Sequence, residues 1–201
     1  ILVSNQFLEF TPYQLVPNFA FSFAIDRLAA FFILIICVVS LSAGIYSLKY
    51  EPHASDSRKN MAVMMTSIFI LSMILVVAAA NTFSLLFFWE TMSLSSFFLV
   101  MFDYKEKPTQ KSGLFYFIMT QMSTVFLLFG FLLMYVLNGS FVIQLPDGMS
   151  AGQSGLLFVS LFIGFGIKAG VMPFHKWLPY AHSASPSNIS ALMSGVMIKV
   201  A

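Results

Sequence analysis

Three ionisable residues lie inside hydrophobic stretches of this 201-residue chain: Glu90, Lys168 and Lys199. A charged side chain costs about 2.5–3.5 kcal/mol at the centre of a membrane helix, so such residues usually face protein or water and mark an ion or proton route. A nearby carboxylate favours a protonated lysine, whereas burial favours the neutral one. We therefore interpret the three residues as groups that bind and release protons during translocation. Lys168 would release its proton when the carboxylate of Glu90 moves away.

Structural roles are the alternatives for these residues and their neighbours. A buried pair of Glu90 and Lys168 could lock two helices together, although it leaves Lys199 unmatched. His175 and His182 could pass protons between solvent and Lys168, since histidine titrates near neutral pH, or they could only form interfacial hydrogen bonds. Pro173 lacks a backbone donor and predicts a broken helix near this residue, with an ordinary proline kink as the alternative.

Composition places the chain in a lipid bilayer. Hydrophobic residues make up 59% of it and charged residues 9%, whereas soluble domains carry about 25% charged residues. The net charge of +2 gives no indication of nucleic acid as a partner. A single cysteine, Cys37, excludes a metal site built on several cysteines, and we predict no metal site.

We predict an all-α fold, a polytopic transmembrane helix bundle that forms one domain over residues 1–201. Six apolar stretches each have about the 20 residues needed to cross a hydrocarbon core. Spans A to F cover roughly residues 25–48, 60–80, 83–102, 113–137, 155–174 and 186–201. Residues 1–24 are interrupted by prolines and are predicted to form an extracytoplasmic loop. Because the sequence starts without methionine and stops within span F, we expect it to be a fragment of a longer protein.

The basic residues predict the orientation of the spans. The loops after spans A, C and E carry three, three and one Lys or Arg residues, and the loops after B and D carry none. Basic loops stay in the cytoplasm. The loops after A, C and E are therefore predicted to be cytoplasmic in a multi-pass protein of the cell inner or plasma membrane.

The three buried charges are predicted to lie at similar depths. At a rise of 1.5 Å per residue, Glu90 lies about 12 Å from the start of span C, Lys168 about 9 Å from the end of span E and Lys199 about 20 Å from the start of span F. Such an arrangement on three helices favours a lateral relay. Polar residues on spans C and D could hold the water that carries the proton: Ser93, Ser96, Gln121 and Thr124.

Three motifs resemble one family of membrane subunits. FFWETMSLSSFFLV surrounds Glu90, IKAGVMPFHKWLPYAH surrounds Lys168, and SALMSGVMIK precedes the end of the chain. Together they resemble the antiporter-like subunits of complex I (NADH-quinone oxidoreductase), hydrogenase-4, formate hydrogenlyase and multisubunit Na+/H+ antiporters. The sequence of residues 181–199 is most similar to the branch of hydrogenase-4 component B and formate hydrogenlyase subunit 3.

The resemblance implies a fold of about fourteen helices in two inverted repeats, of which this chain holds six. It implies that Glu90 and Lys168 form a modulating pair, that Lys199 is the central relay lysine, and that His175 and His182 are recurrent loop histidines. No flavin, iron–sulfur or nickel ligands appear in the sequence. Any such centre is therefore expected in partner subunits, and none in this chain.

These observations predict a proton-translocating membrane subunit of a respiratory or hydrogenase redox complex, with no redox centre of its own. A subunit of a multisubunit Na+/H+ antiporter, without redox partners, is the alternative. A passive membrane anchor is a third possibility, in which the buried charges serve assembly alone.

Overall fold

Long helices make up most of the computed structural model, which describes residues 8–16, 19–50, 56–146 and 148–201. Two strands come first, β1 (Leu8–Val16) and β2 (Phe19–Ile25), followed by α1 (Arg27–Tyr50), α2 (Asp56–Ala78), α3 (Thr82–Val100), α4 (Lys107–Asn138), α5 (Ala151–Ala169), α6 (Trp177–Ala184), α7 (Ser187–Leu192) and α8 (Ile198–Val200). A 3-10 turn (Phe174–Lys176) precedes α6, and a π-helical turn (Met193–Met197) joins α7 to α8.

The predicted membrane-helix bundle is confirmed. Among the described residues, five segments are long and apolar enough to cross a bilayer: 27–47, 57–78, 82–100, 107–138 and 151–184. Their outer faces are apolar, as the exposed side chains of Leu41 and Val136 show. The predicted span F corresponds to the shorter run from α7 through the π turn to α8.

One end of the bundle carries the β-hairpin, which the sequence analysis did not foresee within residues 1–24. Strands β1 and β2 pair antiparallel. The backbone N–H of Ser22 donates to Ser84 Oγ at 3.0 Å, and the carbonyl of Ser22 accepts from Ala80 N at 2.9 Å. The amide of Asn81 donates to the carbonyl of Ala20 at 2.7 Å. The predicted loop is thus a sheet fastened to the turn between α2 and α3, because its backbone groups find partners there.

At the opposite end of the bundle, the start of α2 contacts the end of α3. Arg58 donates to the carbonyl of Phe102 at 2.6 Å and forms an ion pair with Asp103 at 3.1 Å. The predicted loops after spans A and C therefore lie on one face, and the hairpin and the turn at residues 79–82 lie on the other. Contacts on both faces agree with alternating spans.

Two helices begin earlier than predicted. Helix α4 starts at Lys107 instead of residue 113, because Pro108 stands in its first turn, where a missing N–H costs no hydrogen bond. Helix α5 starts at Ala151 instead of residue 155. Ser150 and Gln153 form a reciprocal capping box there, which satisfies backbone donors at the helix start.

Helices α4 and α5 approach closely where glycine lies between them. A Cβ atom on Gly164 would stand 2.7 Å from the side chain of Leu127 and 3.0 Å from its backbone nitrogen. Ser123 on α4 donates to the carbonyl of Gly164 at 2.6 Å. This contact fixes α5 against α4 within two turns of Lys168.

Candidate functional site

Glu90 on α3 faces two polar side chains of α4. Gln121 Nε2 donates to Glu90 Oε1 at 2.6 Å, and Thr124 Oγ1 donates to Glu90 Oε2 at 2.7 Å. Gln121 and Thr124 are three residues apart, so they occupy one face of the helix. Each carboxylate oxygen of this half-buried residue therefore accepts one hydrogen bond inside the bundle.

Lys168 lies in the last turn of α5 and is completely buried. Its ammonium donates to Ser93 Oγ at 2.7 Å, and Ser93 in turn donates to the carbonyl of Trp89 at 2.9 Å. The ammonium nitrogen also lies 5.9 Å from the ring centre of Trp89 and 5.8 Å from that of Tyr116. Both distances fall within the range of cation–π attraction, which offsets part of the lost hydration.

Glu90 and Lys168 are neighbours but not an ion pair. Among the described residues, the one ion pair within 4.0 Å is that of Arg58 and Asp103, whereas the charge of Glu90 acts on Lys168 from farther away. Ser93 stands one helical turn after Glu90 on the same face of α3. The lysine is therefore bonded to a hydroxyl that can both accept and donate a proton.

A polar row continues along α3 beyond Ser93. Ser96 Oγ lies 2.6 Å from Tyr116 Oη, and that hydroxyl lies 3.7 Å from Met197 Sδ. Ser96 also donates to the carbonyl of Ser93 at 2.9 Å. Spaced at three-residue intervals, Glu90, Ser93 and Ser96 form a buried stripe, with Glu90 half-buried at its end. Glu90 bonds to α4, Ser93 to Lys168 of α5 and Ser96 to Tyr116 of α4, and Tyr116 extends the contacts to Met197 in the π turn.

Helix α5 ends at Gly170, three residues before the predicted break at Pro173. Gly170 has φ +72°, the left-handed conformation that ends many helices. Pro173 follows a cis peptide bond and precedes the 3-10 turn. The indole N–H of Trp177 donates to the carbonyl of Ile167 at 2.7 Å. A side chain beyond the break therefore satisfies a carbonyl at the helix end, where partial negative charge also favours the ammonium of Lys168.

The remaining predicted residues lie apart from this buried stripe. His175 is exposed in the 3-10 turn, and His182 Nδ1 lies 2.9 Å from Ser190 Oγ. Lys199 is exposed, and its ammonium donates to the carbonyl of Ser194 at 2.8 Å, within its own helical run. The structure thus brings Glu90 and Lys168 together and leaves Lys199 and both histidines outside their hydrogen-bonded network.

The sequence analysis missed three aromatic residues of the site: Trp89, Tyr116 and Trp177. All three are fully buried. Tyr116 could have been found by its spacing, because it shares one face of α4 with Thr120 and Ser123, which are also buried. Trp89 and Trp177 give no such signal. The ring face of Trp89 lies near the ammonium of Lys168, and the indole N–H of Trp177 donates to a backbone carbonyl.

This arrangement can move a proton in small steps. A lysine held by one serine retains two further N–H donors, and serine and tyrosine hydroxyls both donate and accept. Burial excludes bulk water and strengthens each charge interaction. The geometry therefore supports proton exchange between a buried base and a hydroxyl-lined interior.

Two family models match the sequence. The model described as NADH:quinone oxidoreductase/Mrp antiporter, TM, matches residues 79–201, more than half of the chain. The model described as NADH-Ubiquinone oxidoreductase (complex I), chain 5 N-terminus, matches residues 16–59.

Curated relatives and a solved structure resemble the chain over almost its whole length. Hydrogenase-4 component B of Escherichia coli K12 is 38% identical over 195 residues, covering 92% of this chain and 29% of that protein. A putative antiporter subunit mnhA2 of Staphylococcus haemolyticus is 31% identical, covering 98% and 25%. The Mrp complex of Dietzia sp. DQ12-45-1b matches with a TM-score of 0.85 at 21% identity, covering 97% and 22%. The chain spans between a quarter and a third of the length of these curated relatives.

Proposed function

Because the chain belongs to the NADH:quinone oxidoreductase/Mrp antiporter family of membrane subunits, as its motifs predicted, we propose that it is part of a proton-translocating subunit of a membrane redox complex. The complex would be of the NADH:quinone oxidoreductase or hydrogenase-4/formate hydrogenlyase type. A relative named as a component of hydrogenase-4 supports this assignment. Any flavin, iron–sulfur or nickel centre would belong to partner subunits.

The observation that carries the proposal is the buried ammonium of Lys168. It is completely buried beside a helix break, bonds to the hydroxyl of Ser93, and lies within range of the charge of Glu90. A purely structural cation would be expected to form a direct ion pair. Lys168 instead has a neutral partner, the hydroxyl of Ser93, so no salt bridge holds its ammonium in place.

We infer a sequence of events from this geometry. Electron transfer in the partner subunits changes the field at Glu90, and Lys168 releases its proton toward the hydroxyls of Ser93 and Ser96. Lys199 is the next acceptor in the complete subunit, where chain beyond these residues would cover its exposed side chain. His175 and His182 exchange protons with the solvent near the break.

The basic loops indicate which ends of the helices face the cytoplasm. The ends after α1, α3 and α5 carry seven Lys or Arg residues, whereas the opposite end carries Arg27 alone, and basic loops remain in the cytoplasm. We propose that these ends face the cytoplasm and that the β-hairpin faces the opposite compartment.

Proton uptake by membrane vesicles tests the function. Vesicles carrying the complete subunit in its complex are compared with the variants Lys168→Ala and Glu90→Gln, and assembly is checked for each. We expect assembled Lys168→Ala complexes to lose uptake and Glu90→Gln complexes to lose most of it. Normal uptake by both assembled variants would show that these residues only hold the helices together.

The second candidate is a cation/proton antiporter subunit. The 31% identity to a putative antiporter subunit favours it. The same vesicles distinguish the two, because an antiporter moves protons in response to a sodium gradient without an electron donor. Uptake that requires electron transfer and ignores sodium supports the redox complex.

A further inference from the structure

A pocket of about 410 Å³ lies between α4 and α6, at the end of the bundle that carries the basic loops. It is separate from the hydrogen-bonded network of Glu90 and Lys168, because none of its lining residues belongs to that network. The lining residues are Pro108, Lys111, Ser112, Phe115, Lys176 and Tyr180.

Each side of the pocket combines a lysine with an aromatic ring four residues later. Lys111 and Phe115 form this pair on α4, and Lys176 and Tyr180 form it on the other side. A spacing of four places both members on one face of a helix. The rings of Phe115 and Tyr180 meet edge to face, with their centres 5.5 Å apart. The ring contact therefore joins the two sides, and the two exposed lysines stand at the rim.

Four polar groups around the pocket have no partner within the part of the chain that the structure describes. They are the ammonium groups of Lys111 and Lys176 and the hydroxyls of Ser112 and Tyr180. All four can donate a hydrogen bond. The pocket thus presents donors from two separate helical segments to one shared space.

Acidic side chains do not neutralise this rim. Asp103, in the loop before α4, forms an ion pair with Arg58 at 3.1 Å. Glu106 precedes α4 and does not line the pocket, and Lys105 and Lys107 add positive charge at the same end. The charge around the pocket therefore favours an anionic occupant.

The position of the pocket along α4 matches the headgroup level of a bilayer. Residues 107–112 of this helix are mostly polar, and the apolar run begins at Gly113. Lys111, Leu114 and Ile118 are spaced three and four residues apart and are all exposed, so they share the outer face of the helix. Tyrosine and lysine are typical of the membrane interface. The occupant is therefore expected to come from the surrounding lipid.

An anionic phospholipid matches both parts of this surface. Its phosphate accepts hydrogen bonds from ammonium and hydroxyl groups, and basic pockets between membrane helices suit such headgroups. Most of the pocket wall is apolar, which suits the start of an acyl chain that continues along Leu114 and Ile118. A hydrated inorganic phosphate would gain nothing from that wall, and a zwitterionic lipid would bring its own ammonium beside two lysines.

We propose that this pocket binds an anionic phospholipid in the leaflet on the side of the basic loops. Lys111 and Lys176 hold its phosphate from two sides, and the hydroxyls of Ser112 and Tyr180 donate to the headgroup. The lipid would link α4 to the segment that follows the helix break at Gly170. The inference goes beyond the proposed function and does not depend on proton translocation.

Photo-cross-linking in the complete complex tests the site. The purified complex is placed in phosphatidylcholine vesicles with a trace of phosphatidylglycerol that carries a photoactivatable diazirine near its headgroup. Mass spectrometry then measures the cross-link to peptides that contain Phe115 or Tyr180. Unlabelled phosphatidylglycerol should compete about tenfold more strongly than phosphatidylethanolamine, which has a phosphate but no net charge. Inorganic phosphate should not compete.

Charge substitutions test the two lysines. Lys111→Gln combined with Lys176→Gln should lower the cross-link about tenfold. Lys111→Arg combined with Lys176→Arg should retain it, because guanidinium groups bind phosphate well. Lys105→Gln combined with Lys107→Gln is the matched control, which removes the same charge outside the pocket lining and should leave the cross-link unchanged. Assembly of each variant is checked by size-exclusion chromatography.

Four results would each overturn the proposal. Equal competition by the two unlabelled lipids would show that the pocket does not select charge, and displacement by inorganic phosphate would show a site for the free ion. Equal losses in the pocket variant and the matched control would show a diffuse surface attraction. Peptides that cross-link to a neighbouring subunit and not to lipid would show that a protein covers the pocket. None of these results bears on proton uptake, so the proposed function is tested separately.

Discussion

Lys168 and Lys199 both lie beside an irregular turn of a membrane helix, yet their surroundings differ. Lys168 precedes the break at Gly170, is completely buried and bonds to Ser93 of another helix. Lys199 follows the π turn, is exposed and bonds to the carbonyl of Ser194 in its own helical run.

This difference shows what each irregularity supplies. At the break, Trp177 donates to the carbonyl of Ile167 at the end of α5. Lys168 bonds instead to the side chain of Ser93 on α3. The π turn offers a backbone carbonyl directly to Lys199. A side-chain partner can exchange protons, whereas a carbonyl can only accept a hydrogen bond, so the two lysines are suited to different tasks.

The largest expected effect on stability concerns the break at Gly170. Gly170→Ala should destabilise the subunit, because the left-handed conformation costs a residue with Cβ about 1–2 kcal/mol and the added atom would press on Leu178. Thermal unfolding of the purified complex measures the change. Gly152→Ala is the control, since Gly152 lies in α5 with no atom within 4 Å of an added Cβ. Equal melting temperatures for the two variants would contradict the role given to Gly170.

The largest expected effect on proton uptake concerns the serine that holds Lys168. Ser93→Ala removes a hydrogen bond to a charged group, worth about 1.5–3 kcal/mol, and should reduce proton uptake by about tenfold for each 1.4 kcal/mol lost. Ser194→Ala should leave uptake unchanged, because Lys199 uses the backbone carbonyl of that residue. If the two variants behave alike, the contrast between the lysines does not matter for transport.

The smallest effect tests the connection between the two regions. Tyr116→Phe removes the hydroxyl between Ser96 and Met197 and keeps the ring near Lys168. A neutral hydrogen bond contributes about 1 kcal/mol, so uptake should fall by about fivefold with normal assembly. Phe115→Leu, a change on the neighbouring position of α4, serves as the control. Unchanged uptake in Tyr116→Phe would remove the tyrosine from the path.

Much of this structure could be predicted from the sequence, because long apolar runs identify membrane helices. Polar residues inside such runs are conspicuous for the same reason. Ser93, Ser96, Gln121 and Thr124 were singled out in this way, and each contributes a hydrogen bond in the buried interior. The roles proposed for Lys199, His175 and His182 remain predictions.

Other features escaped prediction because they depend on tertiary contacts. The hairpin gains its stability from the turn between α2 and α3, which residues 1–24 do not reveal. The helix break near Pro173 was predicted and is confirmed, but the sequence did not show that Gly170, in the left-handed conformation, is the residue at which α5 ends. The resemblance implies that Glu90 and Lys168 form a modulating pair, which stays a prediction; that the hydrogen-bond partner of Lys168 is Ser93 could not be read from the sequence.

Two hydrogen bonds fasten α5 just before Lys168, and they have a mechanical consequence. Ser123 anchors the carbonyl of Gly164, and Trp177 anchors that of Ile167, so the last turn of α5 cannot hinge without breaking a buried bond. The movable part is then the lysine side chain alone. Glu90 and Ser93 are separated along α3 by about 4.5 Å at 1.5 Å per residue, a distance that a four-carbon arm can sweep. Such a swing would carry charge along the axis of α3 while the helices stay at rest.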